Sequence, residues 1–63
     1  MTNKQLSKLS FYAKEYALQF AGLLAVGTHA CLDEVRFTVV AGDLAYRVVK
    51  ERYFKQSNCW SLV

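Results

Sequence analysis

VRFTVVAGDLAYRVVKERYFK, residues 35–55, is the stretch that decides the fold, because it is compatible with two different secondary structures. As a helix, it carries an apolar stripe and places opposite charges four residues apart, a spacing that stabilises helices. The charge pairs are Asp43–Arg47, Arg47–Glu51 and Glu51–Lys55, and the apolar positions, counted from just before the stretch, are Leu32, Val35, Val39, Val40, Leu44, Val48 and Val49.

As a β-hairpin, the same stretch begins with residues 35–40, which are rich in β-branched and aromatic side chains. Residues 41–43 would then form the turn and residues 44–49 the returning strand. Gly42 would also cost a helix about 1 kcal/mol relative to alanine. We predict the helix, because the charge pairs follow helical spacing and an isolated two-stranded sheet is only marginally stable in water. The hairpin is the alternative.

The residues before this stretch predict a first helix from Thr2 to Val26. Thr2 and Gln5 match a capping box, in which each side chain accepts a hydrogen bond from the other residue's backbone amide. Apolar residues then recur at helical spacing. Gly27 follows, where the end of a helix favours a positive φ, and Thr28 is placed to cap the second helix.

Residues 16–26, YALQFAGLLAV, are apolar on every side of that first helix, and Gln19 is their only polar side chain. A helix that is apolar all round is buried all round, which one neighbouring helix cannot achieve. We therefore predict an all-α fold, in which residues 1–63 form a single small helical domain. This two-helix hairpin pairs with a second copy into a four-helix arrangement. The alternative fold is a long helix plus a β-hairpin.

The composition offers few groups for chemistry. The chain has 63 residues, 54% of them hydrophobic, and a net charge of +3. Two cysteines and one histidine are too few for a four-ligand zinc site, and His29 and Cys31 point to different sides of a helix. We expect no metal, no cofactor and no enzymatic activity. The polar first ten residues predict no signal peptide and a cytoplasmic protein with reduced thiols, although a Cys31–Cys59 bond is left open.

Binding is the function that this composition favours. We predict a small accessory or regulatory protein that docks on a larger protein, as phage-type inhibitors of host enzymes do, and that forms a homo-oligomer. The predicted binding surface is the basic, aromatic end of the second helix, because Tyr46, Lys50 and Tyr53 would share one helix face. Its residues are Tyr46, Arg47, Lys50, Tyr53, Phe54 and Trp60.

Two other functions fit parts of the sequence. A nucleic-acid-binding module would use the same basic end of helix two, since cations bind phosphates and aromatic rings stack on unpaired bases. Glu51 interrupts that basic run. A small membrane protein would use Tyr16 to Leu32, which contains no charged residue. Gln19 and Gly27 weaken that segment, which is also short for a membrane span.

Overall fold

The computed structural model describes residues 2–63, apart from the side chains of Cys31 and Leu32. Two helices, α1 (Asn3–Leu6) and α2 (Lys14–Gly27), are followed by a 3₁₀ segment at Ala30–Asp33. Three strands complete the fold: β1 (Val35–Ala41), β2 (Tyr46–Phe54) and β3 (Cys59–Leu62). The strands form an antiparallel sheet in the order β1-β2-β3, and α2 packs across β1 and β2.

The predicted second helix is wrong, because residues 35–54 form a β-hairpin. Arg36 lies opposite Glu51, and Val39 lies opposite Val48. An isolated hairpin would be marginal, but here β3 supplies a third strand and α2 covers one face of the sheet. The all-α fold, the helical hairpin and the four-helix arrangement are therefore contradicted. The β-hairpin named as the alternative prediction is present, but its returning strand runs from Tyr46 to Phe54 and not over residues 44–49.

Gly42 lies in the turn of this hairpin. Its amide donates to the carbonyl oxygen of Ala45, with the nitrogen 2.7 Å from the oxygen. A Cβ at position 42 would lie 2.9 Å from that same oxygen, closer than such atoms approach in proteins. The turn therefore favours glycine for steric reasons, and the residue that would weaken a helix is suited to a tight hairpin.

The charged side chains pair across the sheet instead of along a helix. Arg36 Nε donates to Glu51 Oε1 at 2.9 Å, and Lys55 Nζ lies 3.6 Å from Glu34 Oε1. Residues four apart on a strand are separated by roughly 13 Å along the chain, too far for an ion pair. The spacing that suggested helical charge pairs, including Glu51–Lys55, is therefore incidental.

The predicted first helix is interrupted. The capping box is confirmed: the Gln5 amide donates to Thr2 Oγ1 at 3.3 Å, and the Thr2 amide donates to Gln5 Oε1 at 2.9 Å. The helix that it starts ends at Leu6. The chain then extends, and Phe11 exchanges two backbone hydrogen bonds with Tyr46, at 2.9 and 2.6 Å, before α2 begins at Lys14.

The end of α2 also differs from the prediction. Gly27 is the last residue of the helix, and the first positive φ belongs to His29, at 52°. The Thr28 hydroxyl donates to the carbonyl oxygen of Leu24 at 2.7 Å, so it closes α2 and does not cap a second helix.

The core lies between α2 and one face of the sheet. Ala17 and Ala21 are buried on α2, and their small side chains let the helix approach the sheet closely. Val48, at the centre of β2, is 2% exposed and packs against them together with Leu6 of α1. The residues 16–26 that were expected to be buried on every side are thus covered by the sheet on one side, while Leu23 remains 73% exposed.

Asn3 joins the N-terminal segment to the middle strand. Its Oδ1 accepts from the Lys50 amide at 2.7 Å, and its Nδ2 donates to the Lys50 carbonyl oxygen at 2.9 Å and to the carbonyl oxygen of Val63. The side-chain amide therefore takes the place of a neighbouring peptide group just beyond the end of β3. It ties α1, β2 and the C-terminus together.

Asn3→Ala is expected to lower the free energy of unfolding by about 1–3 kcal/mol, because it leaves the partly buried peptide groups of Lys50 without these partners. Chemical denaturation followed by circular dichroism measures the change. Gln56→Ala removes an exposed amide from a turn and is the matched control, with an expected change within about 0.5 kcal/mol. Equal losses in the two variants would contradict the structural role of Asn3.

Candidate functional site on the outer face of the sheet

Side chains along the strands alternate between two faces of the sheet. The inner face includes Val48 and packs against α2. The opposite side, here called the outer face, is not covered by any helix in the described part of the chain. Strand register places nine residues on this outer face: Arg36, Thr38, Val40, Arg47, Val49, Glu51, Tyr53, Trp60 and Leu62.

Arg36 and Trp60 meet across the middle strand of the outer face. The guanidinium carbon of Arg36 lies 4.4 Å from the centroid of the Trp60 ring, a cation–π contact. Glu51 on β2 accepts a hydrogen bond from Arg36 Nε at 2.9 Å and another from the Thr38 hydroxyl at 2.8 Å. One carboxylate on β2 thus orients the arginine of β1 over the indole of β3.

Tyr53 contacts the Trp60 ring from the neighbouring strand β2. It lies opposite Trp60 in the register of β2 and β3, and the two ring centroids are 5.5 Å apart at an interplanar angle of 56°. Its hydroxyl donates to Asn58 Oδ1 at 3.2 Å. Asn58 has φ 51° in the turn between these strands, a conformation that asparagine tolerates well. We call Arg36, Tyr53 and Trp60 the aromatic cluster.

The pKa of Glu51 is held below the ordinary glutamate value of 4.5. The largest cause is the hydrogen bond from Thr38, followed by the hydrogen bond and the charge of Arg36, since each favours the ionised carboxylate; partial burial opposes them. Glu51 therefore stays charged at neutral pH and keeps Arg36 in place over Trp60.

Apolar and cationic side chains border the aromatic cluster. Val40 and Leu62 are exposed on the edge strands, and Val49 lies between them on β2. Arg47, near the start of β2, is exposed and makes no ion pair within residues 2–63. The outer face therefore combines ordered rings, aliphatic surface and a cation that is available to a partner.

The structure divides the six residues of the predicted binding surface between the two faces. Arg47, Tyr53 and Trp60 lie on the outer face, whereas the inner face holds Tyr46, Lys50 and Phe54. The single helix face expected for Tyr46, Lys50 and Tyr53 is therefore wrong, because the segment is a strand. Whether these side chains bind a partner stays a prediction.

Arg36 and Glu51 were not among the predicted site residues. Glu51 was assigned to helical charge pairs, and Arg36 was not considered for the surface at all. The alternative hairpin contained the signal that could have identified them, because folding residues 35–49 back on a short turn brings the start of the first strand towards residues 50–52. Opposite charges on facing strands are a favourable cross-strand pair.

The described residues supply little else for chemistry. They contain no group of three His, Cys, Asp or Glu side chains placed to hold a metal ion. The Cys59 thiol is exposed and lies 3.1 Å from the Ser57 hydroxyl. The side chain of Cys31 lies outside the described residues, and with it the prediction that His29 and Cys31 point to different sides and the Cys31–Cys59 bond that was left open.

No family model, curated protein or solved structure matches this chain. Among residues 2–63, the structure contains no helix with the length and apolar character needed to cross a membrane. Function is therefore inferred from the geometry and charge of the outer face.

The stability that Glu51 contributes is expected to depend on pH. Because its folded pKa lies below 4.5, the contribution is complete above pH 4.5 and is lost as the pH falls through the folded pKa. The difference in unfolding free energy between the parent and Glu51→Gln should therefore shrink as the solution is acidified below pH 4.5.

Carboxyl NMR titration should show that Thr38→Val raises the pKa of Glu51. An unchanged pKa in that variant would show that the Thr38 hydrogen bond is absent in solution.

Proposed function

We propose that this protein is a small accessory or regulatory protein that acts by docking on a larger protein through the outer face of its sheet. The observation that carries the proposal is the aromatic cluster, in which Arg36, Tyr53 and Trp60 are held in one arrangement on a sheet face left open by the described helices. Interface hot spots are rich in tryptophan, tyrosine and arginine.

These side chains are already held in fixed positions before a partner binds, and this favours tight association. Immobilising a flexible side chain at an interface costs about 0.5–1.5 kcal/mol. Glu51 already fixes Arg36, and Asn58 already fixes the Tyr53 hydroxyl. A partner would therefore meet a surface that loses little further freedom, and much of its contact energy would appear as affinity.

The charges on the outer face indicate the chemistry of the partner. Arg36 is balanced by Glu51, whereas Arg47 has no acidic partner within residues 2–63. Val40, Val49 and Leu62 add aliphatic surface beside these charges. We infer that the partner presents an apolar patch with a carboxylate opposite Arg47. A chain of 63 residues that binds in this way could block a functional surface of its partner, as a phage-type inhibitor of a host enzyme does.

Nucleic acid is the second candidate partner, favoured by the net charge of +3 and by the mixture of rings and arginines on one face. Base stacking needs an accessible ring face. In this structure Arg36 lies over the Trp60 ring, and Tyr53 contacts the same indole. The stacking surface is thus already partly occupied, which favours a protein partner. We also propose the cytoplasm as the compartment, where the exposed Cys59 thiol would stay reduced.

Two arginines of β2 provide a matched test of the proposed surface. Both Arg47 and Arg52 are exposed, but Arg47 lies on the outer face and Arg52 on the inner face. A partner captured from the native host and identified by mass spectrometry would be titrated by calorimetry. Arg47→Ala should weaken binding by more than about 1 kcal/mol with little change in the thermal midpoint, whereas Arg52→Ala should leave binding unchanged.

Tyr53→Ala should weaken binding by a similar amount, measured at a temperature where the variant is fully folded. Equal effects of Arg47→Ala and Arg52→Ala would indicate attraction by net charge alone and would contradict the outer-face site. Capture of nucleic acid instead of protein, with strongly salt-dependent binding to a single-stranded oligonucleotide, would favour the second candidate.

A further inference from the structure

The first strand, β1, is an open edge of the sheet. On the far side of β2, the Asn3 side chain and Phe11 continue the pairing beyond β3. On the other side β1 is the last strand, and nothing in residues 2–63 forms a backbone hydrogen bond with its free edge. β1 also lacks the lysine, proline, bulge or very short length that usually protects an edge strand. Its one charged residue, Arg36, is held over Trp60 on the outer face.

The hydrogen-bond pattern shows which residues of β1 point outwards. In an antiparallel pair, successive residues direct their backbone groups alternately to the two sides. Just after β1, the Gly42 amide donates to the Ala45 carbonyl oxygen. Just before β1, the Glu34 carbonyl oxygen accepts from the Tyr53 amide at 2.9 Å. Residues of even number therefore face β2, and the outward-facing amides and carbonyl groups belong to Val35, Phe37, Val39 and Ala41.

An apolar groove of about 550 Å³ runs beside this edge, between β1 and α2. Leu18 and Val26 on its helix wall are 53% and 76% exposed. Between them, a Cβ at Gly22 would meet no atom within 4 Å. The groove therefore combines an open strand edge with an open helix side. Its apolar walls are Leu18, Gly22, Ala25 and Val26 on α2, and Val35 and Phe37 on β1.

We propose that a second copy of the chain covers this groove, with its β1 paired antiparallel to β1 of the first copy. The two copies are related by a two-fold axis that passes through the sheet at Thr38. Their strands form one sheet of six, and their α2 helices lie side by side on the same face. The outer face stays uncovered, so the inference does not depend on the proposed partner.

The register follows from the outward-facing positions of β1. Thr38 is the midpoint of β1, so an axis there pairs all seven residues of the strand. Phe37 then exchanges hydrogen bonds with Val39 of the second copy, and both belong to the outward-facing set. The two Thr38 side chains form a favourable cross-strand pair. Arg36 lies opposite Val40 of the second copy, so no like charges face each other.

The position of α2 indicates that a second copy fits the groove. α2 contacts both β1 and β2. Because neighbouring strands lie about 4.8 Å apart, a helix above these two strands lies roughly 10 Å from its counterpart across the new strand pair. Packed helices are about 8–10 Å apart, and small residues such as Gly22 and Ala25 favour the shorter distances. The axis also makes the helices antiparallel, which aligns their dipoles favourably.

Polar residues border the groove without closing it. Arg36 lines it, but its guanidinium lies on the outer face. Lys14 and Glu15 stand about one turn before Leu18, at the exposed N-terminal end of α2. The antiparallel arrangement directs this end towards His29 of the second copy, at the end of the groove. The charged groups therefore stay at the rim, in contact with water.

A strand from another protein is the other occupant that an open edge accepts. Such a strand would pair with β1 but would lie at the level of the sheet, leaving Leu18 and Val26 on the helix exposed. A second copy supplies a strand and a helix together, at the spacing that the groove requires. This match favours the dimer.

Sedimentation equilibrium at micromolar to hundred-micromolar concentrations tests the dimer. The mass of the parent chain should rise from 7.2 kDa towards twice that value. Leu18→Glu should stay at the monomer mass, because it places a carboxylate on the helix wall of the groove. Leu23→Glu is the matched control: Leu23 is 73% exposed on the same helix but does not line the groove, so this variant should dimerise like the parent.

Disulfide trapping tests the axis. In a Cys31→Ser, Cys59→Ser background, Thr38→Cys should form a covalent dimer rapidly under mild oxidation. The axis makes position 38 a non-hydrogen-bonded pair with a Cα separation of about 4.5 Å, which a disulfide can span. Val40→Cys should not be trapped, because the two copies of that position lie roughly 13 Å apart along the strands.

A parent chain that stays monomeric at all concentrations would overturn the dimer and leave the edge to a strand of another protein. A dimer that Leu23→Glu abolishes and Leu18→Glu leaves intact would also overturn it. Trapping of Val40→Cys as fast as Thr38→Cys would overturn the axis. Leu18→Glu should still bind the larger partner, since Leu18 lies on the other side of the sheet, so failure of the dimer leaves the outer-face proposal standing.

Discussion

The packing of Val48 between Leu6, Ala17 and Ala21 is the contact on which the rest of the structure depends. Val48 lies at the centre of the middle strand, and the two alanines are the small side chains that let α2 lie close above it. A larger residue at either alanine would lift the helix from the sheet, and a larger residue at Val48 would be overpacked. This contact is also what makes the hairpin stable, because it buries one face of a sheet that would be marginal by itself.

That contact leaves two surfaces uncovered by the described part of the chain. α2 packs against β1 and β2 on one face of the sheet, so the outer face retains Tyr53 and Trp60 as partly exposed rings. Because α2 is almost as apolar on its far side as on its near side, Leu23 and Val26 are also left outside the core. A small chain buries only part of its apolar surface on folding, so the remainder stays exposed on the outside of the domain. Here the remainder forms two separate patches of different character: the outer face carries ordered rings and arginines, and the far side of α2 exposes Tyr16, Leu23 and Val26.

Local signals predicted part of this fold from the sequence. The capping box of Thr2 and Gln5 and the helical spacing of residues 14–26 depend only on near neighbours, and both are present. The β-branched residues 35–40 also gave a correct local signal, but charge pairs at spacing four outweighed it. Two tertiary contacts that no local pattern shows stabilise the hairpin: α2 packs against it, and β3, a strand of four residues too short to recognise from its pattern, extends it into a three-stranded sheet. The candidate site was likewise predicted only in part. Tyr53, Trp60 and Arg47 were predicted from their residue types. Arg36 and Glu51 could be assigned to the site only once the strand register was known.

The contact between Arg36 and Trp60 offers the most direct test of this account, because it exists only if the strand order, the register and the outer face are all correct. Proton NMR of the parent chain should show the side-chain protons of Arg36 shifted upfield by the indole ring, with nuclear Overhauser contacts to Trp60. Both effects should disappear in Trp60→Ala, while the cross-strand contacts between Val39 and Val48 remain. Arg36 protons at the positions of an unstructured chain, together with helical carbon shifts through residues 35–54, would contradict the sheet and the binding surface built on it.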